Sequence, residues 1–311
     1  MAEENNPPLR VLAEGLRFPE GPVWMPDGSV LLVEIAAGVV SRIGPDGRRS
    51  VAARTGGGPN GLAMGPGGKL YVCNNGGFDW TEAEGLLRPH SQAKSYAGGS
   101  IQRVDLATGA VETLYTECDG VKLRGPNDIV FDNEGGFWFS DLGKVRPRDR
   151  DHGAVFWAAA DGSRIVEAAL PVPGGANGIG LSPDGKVLYA AETETGRLWA
   201  WEIEGPGRLR KQPWPSPHGG RLICQFPGFR RLDSLAVTAA GNICVATLVS
   251  GEITTVAPSG EILRVVKMPE LMPTNICFGG PELRTAYVTL STTGKLVELP
   301  WDEPGLRLAH D

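Results

Sequence analysis

The sequence predicts an all-β protein, a six-bladed β-propeller with four-stranded antiparallel blades. Three observations carry that expectation: a phrase written six times, its spacing, and the turn inside it. The copies read FPEGPVWMPDGSVLLVE from Phe18, PNGLAMGPGGKLYVCNN from Pro59, PNDIVFDNEGGFWFSD from Pro126, ANGIGLSPDGKVLYAAET from Ala176, LDSLAVTAAGNICVAT from Leu232 and PTNICFGGPELRTAYVT from Pro273. Aligned on their apolar alternation, they are led by Glu20, Asn60, Asn127, Asn177, Asp233 and Thr274, at intervals of 40, 67, 50, 56 and 41 residues. A four-stranded propeller blade takes roughly 40–50 residues, so the chain accommodates six.

Within each copy the first element is a strand, because apolar residues alternate: Ile129 and Phe131, Ile179 and Leu181, Leu235 and Val237. A two-residue period is the mark of a half-buried strand. A turn follows, as in Pro26-Asp27-Gly28, Pro66-Gly67-Gly68, Asn133-Glu134-Gly135-Gly136, Pro183-Asp184-Gly185 and Ala240-Gly241-Asn242. Residues of this kind supply the positive backbone angles that tight hairpins require. A second strand comes next (Val30–Val33, Lys69–Val72, Val187–Ala190), and GGSIQRVDLATG from Gly98, HGAVFWAAADGS from His152 and SGEITTVAPSG from Ser250 add third strands with their turns.

A closed ring of repeats shares one continuous buried surface and needs no domain boundary, so residues 1–311 are read as a single domain with residues 1–9 frayed. The 44 glycines and 25 prolines serve frequent turns, and 41% hydrophobic residues suffice for a core. No apolar run approaches the ~18 residues of a membrane span and no secretory leader is recognised, so the expected location is the cytoplasm. A net charge of −6 with dispersed Lys and Arg argues against a nucleic-acid partner. Cys73, Cys118, Cys224, Cys244 and Cys277 are odd in number and lack metal-type spacing, which reads as reduced thiols. The chain is expected to act as a monomer or small homo-oligomer.

In a propeller the first strand of every blade runs along the central channel. The six leading residues should therefore converge as a ring of oxygen donors with two carboxylates, Glu20 and Asp233, and no Lys or Arg. Such donors suit a hard divalent cation, and two carboxylates balance its charge. The competing reading is that Asn and Asp recur here because they stabilise turns at strand starts. Glu20, a poor turn former, is what that reading leaves unexplained.

The phrases EGPVW, RGPNDIVFD, ANGIGLSPDGKVLYAAET and FGGPELRTAYVT resemble signatures of the senescence marker protein, regucalcin and gluconolactonase family of six-bladed metal-dependent lactonases. They occur in that family's order over nearly the whole chain, and GGSIQRVDLATG looks closest to the bacterial gluconolactonase branch. The resemblance implies one divalent cation, Ca²⁺ first and Mg²⁺, Mn²⁺, Zn²⁺ or Fe²⁺ as alternatives. Its ligands would be Glu20, Asn177 and Asp233, with Asn127 a ligand or substrate contact. It also implies that a sugar or aliphatic lactone is the small-molecule substrate. The cation would polarise the carbonyl and activate water, and Asp233, with Asn127, would be catalytic; whether Asp233 or the cation activates the water is left open. Asn60, Arg124, Trp80 and Thr274 are the expected substrate contacts. Two departures from the family pattern leave substrate choice open: Ser234 stands where Gly is usual, and Gly125 stands where regucalcins carry an Arg.

His90, His152, His218 and His310 are too scattered for a triad, and Ser140 and Asp141 read as structural. Two insertions, Asn74–Gly99 and Gly205–Phe229, are long enough to cover a site. Phe78, Trp80, Tyr96 and Trp214 within them would either line an apolar wall or merely staple the loops down. The rival readings are hydrolysis of another ester or an organophosphate, a pathway-specific hydrolase or lyase on the same ring, and a calcium-binding propeller without turnover.

Overall fold

A computed structural model describes residues 6–310, and its innermost strands are the six that the repeat marks. They are Pro19–Trp24, Pro59–Met64, Pro126–Phe131, Ala176–Leu181, Arg231–Val237 and Pro273–Gly279, each opening a four-stranded antiparallel meander. The expected six-bladed propeller is what forms. Blade 4 departs from the plain pattern: its third strand, Arg197–Gly205, pairs with both Arg208–Leu209 and Arg221–Gln225. Blade 6 is completed from the other end of the chain, since Arg10–Ala13 pairs antiparallel with Lys295–Pro300. That pairing closes the ring without a covalent link, and an Arg10–Glu298 ion pair at 2.7 Å lies across it.

The core lies between blades, because each sheet buries both faces against its neighbours. One apolar cluster joins Val130, Trp138 and Trp157 of blade 3 to Ile179, Leu188 and Trp201 of blade 4. Another joins Leu12, Leu296 and Tyr287 of blade 6 to Val30, Leu32 and Ile43 of blade 1. Among the described residues there are six such clusters, one for each interface. Of the segment 1–9 expected to fray, residues 1–5 lie outside the described residues. Asn6 accepts a hydrogen bond from the Lys267 N–H at 3.2 Å, and Leu9 packs on the cluster between blades 5 and 6. No helix among the described residues is long and apolar enough to cross a membrane, and all five cysteines are free.

Tight contact at the axis depends on glycine. Gly21 has φ +53°, and a Cβ there would lie 2.4 Å from the Asn60 carbonyl oxygen; a Cβ on Gly178 would lie 2.7 Å from the Asp233 carbonyl. Without these side chains, neighbouring inner strands approach closely enough for the residues just before them to face one cavity.

Candidate active site

All six inner strands break register at the same place. The irregularity spans Glu20/Val23, Pro59/Leu62, Pro126/Ile129, Ala176/Ile179, Leu232/Leu235 and Pro273/Asn275. A bulge interrupts the ladder and re-aims a side chain, and here it turns Glu20, Asn60, Asn127, Asn177, Asp233 and Thr274 into one axial cavity of about 390 Å³.

The entry to each of the first four strands is held by the same device. A side chain ending the blade's second strand accepts backbone N–H groups two or three residues ahead of the cavity residue. Glu34 accepts from Arg17 (2.8 Å), Asn74 from Gly58 (2.9 Å), Asp141 from Arg124 and Gly125 (2.8 and 2.7 Å), and Glu192 from Gly174 (2.7 Å). Ser140 donates to the Asn177 carbonyl and accepts from the Asp128 N–H, joining blades 3 and 4 beside the ring. Asp141 is therefore committed to backbone support, and it does not line the cavity.

The electrostatics of the floor are those of an acid cluster. Glu20 is 3% exposed; burial drives its pKa up to about 7, partly offset by Asn275 Nδ2 (2.7 Å) and the Gly21 N–H (2.6 Å), both donating to Oε2. Burial also raises Asp233 well above the usual carboxylate range, and the Glu20 charge adds to it. One layer deeper in the channel Asp128 is pushed up to about 8, again by burial first and then by Glu20. No cation sits among the cavity-floor residues, and Arg231, which lines the same cavity, lowers Asp233 less than burial and Glu20 raise it. Asn177 donates Nδ2 to Thr193 Oγ1 at 3.1 Å, and its buried Oδ1 has no partner; the buried Oδ1 of Asn127 has none either. Buried oxygens without donors are uncommon in native structures and point to an electrophile. Among the described residues no three His, Cys, Asp or Glu side chains gather in ligating geometry. The donor set is instead two carboxylates with two amide oxygens, which fits a hard divalent cation.

The other expected contacts are placed differently. Thr274 lines the cavity, but its hydroxyl is engaged by Thr289 (2.9 Å) and Ser291. Asn60 lines the cavity as expected. Trp80 does not; it packs behind two residues that do, with ring centroids 5.1 Å from Phe18 and 5.9 Å from Phe78. The exposed Arg124 side chain lies outside it too. Trp214, 90% exposed, sits on the outer edge of blade 4, because the 205–229 insertion supplies that blade's outermost pairing instead of a cover. His152 is exposed away from the cavity, whereas His90 lines it.

The Asn74–Gly99 insertion does form a cover. Phe78–Ala83 and Leu86–Gln92 make a hairpin. It reaches across the mouth from blade 3, where the Gln92 N–H donates to the Val145 carbonyl (3.0 Å), to blade 6, where the Leu87 N–H donates to the Thr292 carbonyl (2.9 Å). Lys144, which no sequence pattern singled out, is buried beneath the insertion. Its Nζ donates to Asn75 Oδ1 (3.1 Å) and the Gly77 carbonyl (2.8 Å) and lies 4.1 Å from the centre of the Phe78 ring. Lys144→Met strands both acceptors, at about 1–3 kcal/mol. The expected result is earlier proteolytic cleavage within 75–95 and a raised KM, read by limited proteolysis and steady-state kinetics.

The SMP-30/Gluconolactonase/LRE-like region model matches residues 18–292. The chain belongs to that family. It is 24% identical to a gluconolactonase of Zymomonas mobilis over 91% of this chain and 79% of that protein. It is 26% identical to lactonase drp35 of Staphylococcus haemolyticus over 85% of this chain and 73% of that protein. A solved gluconolactonase from Xanthomonas campestris superposes with a TM-score of 0.74 at 21% identity, covering 97% of this chain and 92% of that one, which establishes the shared fold. The familial resemblance read from the repeated phrases is thus correct.

Proposed function

We propose that this family member is a divalent-cation-dependent lactonase that opens a sugar or aliphatic lactone. The observation that carries the reading is the meeting of two carboxylates, the buried Glu20 and the partly buried Asp233, with the unpartnered Oδ1 atoms of Asn127 and Asn177 in one cavity. The lactonase names of the relatives above supply the reaction class. Glu20, Asn127, Asn177 and Asp233 would hold the cation, with Ca²⁺ favoured by an all-oxygen set. When bound, the cation supplies a Lewis acid for the lactone carbonyl.

The chain's own residues do the rest. Asp233 accepts the proton of the attacking water as the new C–O bond forms, then returns it to the ring oxygen as the lactone C–O bond breaks. The Asn127 and Asn60 amides orient the substrate. Phe18, Ile35, Phe78, Leu248 and Met272 wall the cavity and limit bulk water. The five free cysteines accord with a reducing, cytoplasmic setting.

The test is metal analysis of purified protein, followed by a pH-indicator screen of sugar and aliphatic lactones, with a phosphotriester beside them, as each cation is restored. Lactone opening that chelation abolishes supports the proposal; cation binding without turnover on any substrate overturns it. Asn60→Ala, which removes a neutral orienting amide, should raise KM about tenfold with kcat little changed, as steady-state kinetics would read.

A further inference from the structure

The mouth of the cavity carries the opposite charge from its floor. Arg88 and His90, on the hairpin, and Arg150 and Arg231, from blades 3 and 5, line it together with one acid, Glu194. Glu194 is shared: it pairs with Arg231 and lies 3.5 Å from Arg150. Among the described residues the exposed Arg88 guanidinium has no acidic partner and no hydrogen bond, although the hairpin that carries it is paired at Thr81 and held at both ends. Three guanidinium groups against one carboxylate leave the rim with excess positive charge, while Glu20 and Asp233 on the floor would be balanced by the cation they are proposed to bind.

We infer that the substrate is an anionic lactone, in which a carboxylate, sulfonate or phosphate on the end remote from the ring carbonyl is received by Arg88 at the rim. The inference rests on the lactonase reading and adds to it the polarity of the substrate and its direction in the site. A neutral lactone needs nothing from an unpaired guanidinium. An anionic one gains a charge-assisted contact there, and the field of the rim steers it inward. With the carbonyl on the acidic floor, the rim meets the far end of the molecule, so Arg88 is a specificity residue and not a catalytic one.

The test compares two pairs of lactones with the calcium-loaded enzyme: glucono-δ-lactone against its 6-phosphate, and galactono-γ-lactone against the analogue with a carboxylate at carbon 6. The anionic member of at least one pair should have a kcat/KM about tenfold or more higher, with the advantage shrinking as salt rises. Arg88→Met should reduce the anionic-to-neutral ratio about tenfold through KM, and Arg88→Lys should restore part of it. Neutral lactones preferred in both pairs, or a ratio that Arg88→Met leaves unmoved, overturns the inference while lactone opening itself stands. If none of the four is opened this inference is overturned, and if no sugar or aliphatic lactone of the wider screen is opened either, the lactonase reading fails as well. Calorimetry of the ring-opened acids separates binding from turnover: 6-phosphogluconate should bind wild type more tightly than gluconate does, and Arg88→Met should erase the difference.

Discussion

Asp233→Ala is expected to lower kcat by about a thousandfold or more and to weaken divalent-cation binding by at least about a hundredfold. Its side chain is placed to serve twice, as one of two carboxylates balancing a cation and as the group that moves a proton between water and leaving oxygen. Fold damage predicts a different result. Asp233 is partly buried beside Glu20, whose charge makes the ionisation of Asp233 harder. Removing it from the cation-free protein relieves repulsion, so Asp233→Ala should be as stable as wild type or more so in chelator, while losing the stabilisation that added cation gives wild type. Asp233→Asn keeps an oxygen donor but neither the charge nor the base, and should retain part of the cation affinity with no turnover. Calorimetric titration, thermal melts with and without chelator, and steady-state rates read these effects separately. Wild-type turnover by Asp233→Ala would sink the assignment of Asp233.

What could be read in advance follows the repeat. Glu20, Asn60, Asn127, Asn177, Asp233 and Thr274 each sit at a fixed offset from an apolar alternation and a glycine turn, so six copies calibrate one another and their convergence follows from propeller geometry. Asp128 occupies the next position along the same strand and carries an acid down the channel, yet it is legible only once Gly21, Gly61, Gly178 and Ser234 are seen to occupy the equivalent places. Residues in the insertions had no such frame. Trp80 and Trp214 looked alike as loop aromatics, but one packs behind the cavity wall and the other lies on an outer edge, because Asn74–Gly99 folds as a hairpin over the mouth while Gly205–Phe229 extends blade 4. Arg124 stands three residues before Asn127, but its backbone N–H, not its guanidinium, serves the site, by holding Asp141. Lys144 and Arg88 escaped for the same reason, since what each faces is set by contacts across blades. Ring closure by Arg10–Ala13 was invisible in a four-residue strand with no turn signature of its own.

The stability of the cation-stripped protein should fall as pH rises from about 5 to 8, and a saturating divalent cation should remove most of that fall. Glu20 has its pKa raised to about 7, Asp128 to about 8, and Asp233 is raised as well, chiefly by burial and then, for both aspartates, by the charge of Glu20. In the unfolded chain these groups return to the ordinary carboxylate range near 4. Between those limits the folded protein holds more protons than the unfolded one, so the unfolding free energy declines with pH across that window. Below about pH 4 both states are protonated and the slope vanishes. For a chain of this size the expected loss is a few kcal/mol, or roughly 5 °C or more in Tm. A bound cation favours the ionised carboxylates, and at about 100 times its Kd contributes about 2.7 kcal/mol, so its effect on Tm should be small at pH 5 and large at pH 8. Protons should be released on binding at neutral pH, which titration calorimetry detects as heats that depend on the buffer. Glu20→Gln removes one raised group and the charge that raises the other two, and should flatten the pH dependence without any cation. If the stripped protein were instead more stable at pH 8 than at pH 5, the buried acids would already be compensated from within, and the electrostatic case for a cation between Glu20 and Asp233 would be lost.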